Sequence, residues 1–386
     1  MLAVLLASSA LSTHPANATQ PLQLLTDYPQ ARCMDGTPGG FYFHGSRLGA
    51  AQTKWVLTLQ GGGECVSAKC TAKAASALGS SRYFPKSYDF WDEAKVHLAD
   101  TSCTANPELC DYNQVFLPYC SQDLWTGQRA NATSPAGSAA PGWYFAGHEI
   151  LGAVLDALEA AHGLSAASEI IMSGESAGGF GVYHNVDWLA QRYPRARVVG
   201  APIAGFEFYA WPYTGAGNTG PSELADFSAA AMAHGTYNVL WDSFVPPACL
   251  ADHSTDPGAC LLPSLSYGYV QAPLFIMEAQ GDSVVLKDHD SVPGLKSRSA
   301  VTPPVQAYMA AFAANQSACL APAMASKSAD GVFNPSCFIH TGFTSTIKIA
   351  GQGYLEAFRS WLGGAAVKLA DKCAGGEVLC NPTCPL

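Results

Sequence analysis

The chain holds the three residue types of a nucleophilic acyl-transfer site: a serine in a tight glycine turn, later carboxylates and later imidazoles. The serine is Ser176, within Ile170-Ile171-Met172-Ser173-Gly174-Glu175-Ser176-Ala177-Gly178-Gly179-Phe180-Gly181. An apolar run leads into Gly-x-Ser-x-Gly, and a helix-like segment follows. That strand, turn and helix is the setting in which a serine oxygen is lifted to the top of a parallel sheet. Gly174 and Gly178 flank a turn so sharp that a Cβ there would collide. Among 37 glycines the pattern alone is weak. Its two flanks give it weight.

A serine hydroxyl needs a base to take its proton, and an imidazole base needs a carboxylate to fix its tautomer. On parallel α/β sheets that carry such a serine, the chain order is Ser, then acid, then His. Asp282 sits directly after the apolar run Pro273-Leu274-Phe275-Ile276-Met277, in a Gly-Asp-Ser turn, and is the expected acid. Asp288 and Asp290, deeper in the next loop, read as solvated surface carboxylates. Only His289 and His340 follow Asp282. The apolar setting of His340 (Cys337-Phe338-Ile339-His340) places it on a held loop, so His340 is the expected base, with His289 in reserve. The developing oxyanion needs backbone N–H donors. Ala177, the residue after the serine, supplies one. Gly62 and Gly63, in the triplet Gly61-Gly62-Gly63, supply the others. A glycine triplet is otherwise a flexible loop, but this one ends a buried run. No His-x-x-x-His or similar cluster appears, so a metal is not expected.

The elements that must position these groups alternate. Phe41-Tyr42-Phe43, Trp55 to Gln60, Gln114 to Cys120, Ile170 to Glu175, Arg197 to Ile203 and Pro273 to Glu278 read as strands. Helical spacing runs from Gly147 to His162, from Ser176 through Leu189, from Val305 to Ala314 and from Tyr354 to Leu362. A short element is expected at Phe338-Ile339-His340. Ser121 to Gly142 reads as a surface loop, and Trp211 to Trp241 as a cap or cleft wall. The Trp- and Tyr-bearing stretch Phe206 to Tyr213 suits an acyl tunnel, a sugar-stacking cleft or simply core. No repeat, low-complexity tract or linker interrupts the alternation, which predicts one α/β domain over residues 19–386.

Composition narrows the partners. A net charge of −10 lacks the basic stripe of a nucleic-acid binder. Met1 to Ala7 followed by small residues to Ala18 predicts a secretory signal over 1–18, without a charged n-region. No other stretch is apolar and long enough to span a bilayer. The 13 cysteines fall in close sets: Cys65 with Cys70, Cys103 with Cys110, Cys249 with Cys260, and Cys373 with Cys380 and Cys384. Disulfides suit them better than zinc, and the odd count leaves one thiol over. Asn131-Ala132-Thr133 and Asn315-Gln316-Ser317 fit the N-glycosylation pattern.

Several motifs together resemble the pectin acetylesterases and the Notum-type carboxylesterases. They are Cys33-Met34-Asp35-Gly36-Thr37-Pro38-Gly39-Gly40, Leu59-Gln60-Gly61-Gly62-Gly63-Glu64-Cys65, Tyr119 to Gly127, Ser176-Ala177-Gly178-Gly179 and Asn185-Val186-Asp187. The resemblance runs from Cys33 to about His340. It implies an α/β-hydrolase-like fold, a mostly parallel sheet flanked by helices with loop or cap insertions. It also implies a Ser176, Asp282, His340 triad, donors at Gly62, Gly63 and Ala177, and no cofactor. The implied activity is a secreted serine carboxylesterase that removes acetyl groups from pectin or a related cell-wall polysaccharide. A Notum-like lipid deacylase is the alternative, and an inactive binding protein on the same fold is a third. The chain departs from the pattern at Glu64, where plant members carry Trp. Further departures are Asp282-Ser283-Val284-Val285 for Asp-Ser-x-Gln and His340-Thr341 for His-Cys.

Overall fold

The computed structural model describes residues 19–49, 52–65, 70–90, 98–104, 106–130, 142–217, 240–295, 301–325, 329–341 and 346–385. The expected signal (1–18), the acceptor Asn131 and most of the expected cap lie outside these residues.

The apolar runs become strands with both faces covered. They are β1 (Gln23–Leu24), β2 (Gly40–His44), β3 (Lys54–Leu59), β4 (Asn113–Leu117), β5 (Glu169–Glu175), β6 (Arg197–Ile203), β7 (Phe275–Met277), β8 (Gly331–Asn334) and β9 (Lys368–Ala370). They form a nine-stranded sheet in the order β9-β8-β7-β6-β5-β3-β4-β2-β1. β2 pairs antiparallel with β1 and β4, and the other neighbours are parallel. Side chains alternate across a strand. Ile170 and Met172 of β5 therefore enter one core and Ile171 the other, and Val198 and Val199 of β6 divide the same way. Both cores are filled by helices, as parallel sheets require. α1 (Gly147–His162), α2 (Ala177–Arg192) and α3 (Pro303–Met324) supply Ile150, Val154, Val186 and Phe312 to the first. α4 (Tyr354–Leu362) supplies Tyr354, Phe358 and Trp361 to the second.

β3 stands between β4 and β5, so the chain departs from it to one side and returns on the other. At such a reversal the loops after the strands diverge and leave a crevice at their carboxyl ends. Here the bordering loops are the glycine triplet after β3 and the serine turn after β5. The two are pressed together: a Cβ on Gly178 would lie 2.0 Å from the Leu59 carbonyl oxygen. Only glycine lets α2 start that close to the end of β3.

Three expectations are corrected. Ser121 to Thr126 are buried rather than a surface loop. Asp123 makes this tolerable by accepting from Ser121 Oγ (2.6 Å), Trp125 N (3.1 Å) and Gly147 N at the start of α1 (2.7 Å). Phe338 to His340 is loop, not an element. The strand before it, β8, has only Val332 and Phe333 as apolar signal, and its place is fixed by pairing with β7 (Val332 opposite Ile276). Finally, Cys384 pairs with Cys337 rather than within the C-terminal set.

The other disulfides are Cys33–Cys120, Cys65–Cys70, Cys103–Cys110, Cys249–Cys260 and Cys373–Cys380, which leaves Cys319 free. Cys33–Cys120 joins the segment before β2 to the end of β4 across a separation of 87 residues. Closing a loop of that size is worth about 4 kcal/mol. Replacing both cysteines by alanine should lower the urea-unfolding free energy by about that amount; a loss under about 1 kcal/mol would contradict the assignment.

Candidate active site

Ser176 sits between β5 and α2 with φ 55° and ψ −123°. A non-glycine residue held there stores roughly 1–3 kcal/mol, so its surroundings must over-determine it. Its N–H donates to Ile203 O and its carbonyl accepts from Phe180 N, both at 2.9 Å. Gly61 abuts it: a Cβ there would come within 2.9 Å of Ser176 Cβ. The glycine loop thus lies against the serine. Ala177 opens α2, so its N–H has no acceptor within the helix and stands at the positive end of the helix dipole.

The glycine loop is held by neighbours that sequence reasoning missed. Gly62 O accepts from Lys73 Nζ at 2.9 Å and from Gln122 Nε2 at 3.4 Å. Because the peptide is planar and trans, fixing that carbonyl turns the Gly63 N–H the opposite way. Trp125 Nε1 donates to Gln60 O (2.9 Å) and Cys65 N to Gln122 O (3.0 Å). Gly62 (φ 150°) and Gly63 (φ 71°) have backbones that side chains resist. Their N–H groups donate to no partner among the described residues. The signal that could have found Gln122 and Trp125 was the Tyr119 to Gly127 motif itself. A loop that merely covers a surface has no use for so specific a run.

Glu64, next in this loop, is 8 % exposed, and its Oε1 has no partner among the described residues. Burial pushes its carboxyl up to about 7, against the pull of Lys73. Glu207 is within electrostatic reach of Glu64, Asp282 and Asp290, and burial holds it well above the carboxylate range.

The structure brings Asp282 and His340 together. Asp282 is buried; Oδ1 accepts from Val284 N (2.9 Å) and Val285 N (3.0 Å), and Oδ2 from His340 Nδ1 (2.7 Å). Ser283 N donates to Ile339 O, tying the acid's turn to the histidine's loop. His340 Nε2 is buried without a partner among the described residues. Burial would raise Asp282, but the charge and hydrogen bond of His340 hold it below its ordinary value. Burial likewise pulls His340 down, yet Asp282, with smaller help from Glu175 and Asp288, holds it above the ordinary histidine value. Burial drives His289 down to about 4, so it is neutral at neutral pH. Asp288 pairs with Lys287 at 3.3 Å. Asp290 is buried, not solvated, and burial pushes it up to about 7.

This arrangement offers a strained serine, an oriented imidazole with a free nitrogen, and three unclaimed N–H donors. Comparison with known proteins agrees with an ester-cleaving chemistry. The family model for pectinacetylesterase matches residues 13–385. Palmitoleoyl-protein carboxylesterase notum1' of Xenopus laevis is 27% identical over 377 residues, covering 92% of this chain and 72% of its own. Pectin acetylesterase 11 of Arabidopsis thaliana is 26% identical over 376 residues, covering 92% of this chain and 89% of its own. The solved structure of the Wnt deacylase Notum from Drosophila superposes with a TM-score of 0.78 at 24% identity, covering 96% of this chain and all of that one. That likeness shows the fold as α/β-hydrolase-like. The chain belongs to the pectinacetylesterase family and is a carboxylic ester hydrolase.

Proposed function

We propose that this chain is a secreted serine esterase that removes acetyl groups from a cell-wall polysaccharide, pectin or a related polymer. Ser176 is the nucleophile, His340 the general base and Asp282 its orienting acid. His340 Nε2 takes the Ser176 hydroxyl proton as Oγ attacks the ester carbonyl. The oxyanion is received by the N–H groups of Gly62, Gly63 and Ala177, which are unclaimed and need no reorganisation. Collapse expels the alcohol, which leaves with the proton from His340. Water, deprotonated by the same nitrogen, then releases the acyl group. The observation that carries this reading is the 2.7 Å Asp282–His340 bond, with the opposite ring nitrogen left without a partner among the described residues. Secretion is supported by six disulfides and the signal-like N-terminus.

A short acyl group is favoured over a fatty one by Glu64. Its carboxyl lies in the glycine loop, with Glu207 in reach, where a long chain would have to pack apolar carbons against buried polar groups. Of the aromatic stretch, Phe206, Phe208 and Tyr213 are buried in the core, whereas Tyr209 and Trp211 are exposed.

With p-nitrophenyl esters from acetate to palmitate, kcat/KM should be highest for acetate and decline with length. Preference for palmitate would shift the reading to a lipid deacylase. Ser176→Ala should lose about 10⁴-fold or more in kcat while remaining folded. A folded wild type that cleaves no ester would instead favour a binding role. Because His340 must be neutral to act and is held above its ordinary value, kcat/KM should rise with pH through a limb above pH 6.5. Asp282→Asn should reduce kcat by about 10⁴-fold. A wild-type limb at or below the ordinary histidine value would refute the Asp282–His340 pairing.

A further inference from the structure

We propose that Glu278 is a positioning residue: its carboxyl remains protonated and donates a hydrogen bond to Asp282, holding that carboxylate toward His340. The proposal rests on the reading of Asp282 and His340 as the acid and base that serve Ser176.

Glu278 is the first residue past β7, four residues before Asp282. Its backbone is locked: its N–H donates to Phe333 O at 3.2 Å, and Asn334 Nδ2 donates to its carbonyl at 2.5 Å. The side chain is 3 % exposed, and Oε2 accepts the N–H of Phe206, from the loop after β6, at 2.9 Å. The carboxyl also hydrogen-bonds to the carboxyl of Asp282, which is 1 % exposed.

Two ionised carboxylates have no hydrogen to share, so one of this pair carries a proton. The surrounding donors decide which. Asp282 already accepts two backbone N–H groups and the imidazole, whereas Glu278 accepts one backbone N–H. The better-solvated anion is Asp282, and the proton resides on Glu278. The titratable groups around Glu278 agree: Asp282 on its own turn, Glu207 beside Phe206, and Tyr183 on α2. The two acids disfavour a charge on Glu278, and the Tyr183 phenol is neutral and offsets none of that effect. Burial acts in the same direction.

The effect on chemistry passes through Asp282. With Glu278 as donor, Asp282 has a partner on every side and cannot rotate away from His340. The donor also draws negative charge from Asp282, which tempers how strongly it stabilises the imidazolium. Removing the donor should strengthen that stabilisation and move the acid limb upward in pH, while loosening the orientation and lowering kcat.

The test is a pH–rate profile on p-nitrophenyl acetate with the full chain and two variants. Glu278→Gln keeps both bonds, with its amide N–H toward Asp282 and its carbonyl toward Phe206 N. It should match wild type in kcat and in the position of the acid limb. Were Glu278 ionised in the native protein, the same change would delete a charge and move the limb down; that result overturns the proposal. Glu278→Leu should lower kcat by roughly ten- to hundred-fold and raise the limb. A folded Leu variant with wild-type kcat and limb would overturn the positioning role. Should the Leu variant fail to fold, the Gln variant still decides. Activity that survives Ser176→Ala would reject the triad itself, a failure separate from either Glu278 result.

Discussion

The whole arrangement depends on how closely α2 is seated on the end of β3. With no side chain at Gly178, the helix begins against the Leu59 carbonyl, and the residue two before it, Ser176, is forced into a left-handed backbone. That one contact places Ser176, the first-turn N–H of Ala177 and the glycine loop in a single crevice. Conformational strain at Ser176 is tolerated because strands β3, β5 and β6, all buried, fix the chain on both sides of it. Asp282 and His340 come from further along the sheet, on the loops after β7 and β8, and meet each other because those strands are parallel neighbours.

Much of this was legible in the sequence. The α1 pattern of Ile150, Leu151, Val154, Leu155 and Leu158 gave the helix its observed ends, and the continuous apolar runs marked β3, β5 and β6, because burial on two faces leaves no polar alternation to confuse. The order Ser, Asp, His pointed to the pair that the structure joins. What escaped was set by tertiary context. Ser121 to Thr126 looks polar, yet it is buried, since its polar groups satisfy one another and the start of α1. β8 is too short and too glycine- and asparagine-marked to be read alone. It exists because β7 offers an edge. Lys73 carries no local sign that its target is the Gly62 carbonyl.

Buried acids are unusually dense around the crevice. Glu64, Glu207, Glu278, Asp282 and Asp290 are all removed from water to a large extent, and four of the five are held above the usual carboxylate range. Asp282 is the exception because it alone faces an imidazole and two backbone N–H groups. The same residue type thus serves as an anion in one position and as a neutral hydrogen-bonding group a few residues away. The difference is the supply of donors, not burial, which all five share.

Cys33–Cys120 has a meaning beyond stability. Cys120 is the residue from which Ser121 to Thr126 departs, and that segment grips the glycine loop through Gln122 and Trp125. The disulfide at one end is therefore mechanically connected to the glycine loop at the other. A reductant would slacken the grip before it unfolded the sheet, whose own ladders do not pass through the bond. The bond between this cysteine pair in that sense braces the glycine loop as well as the fold.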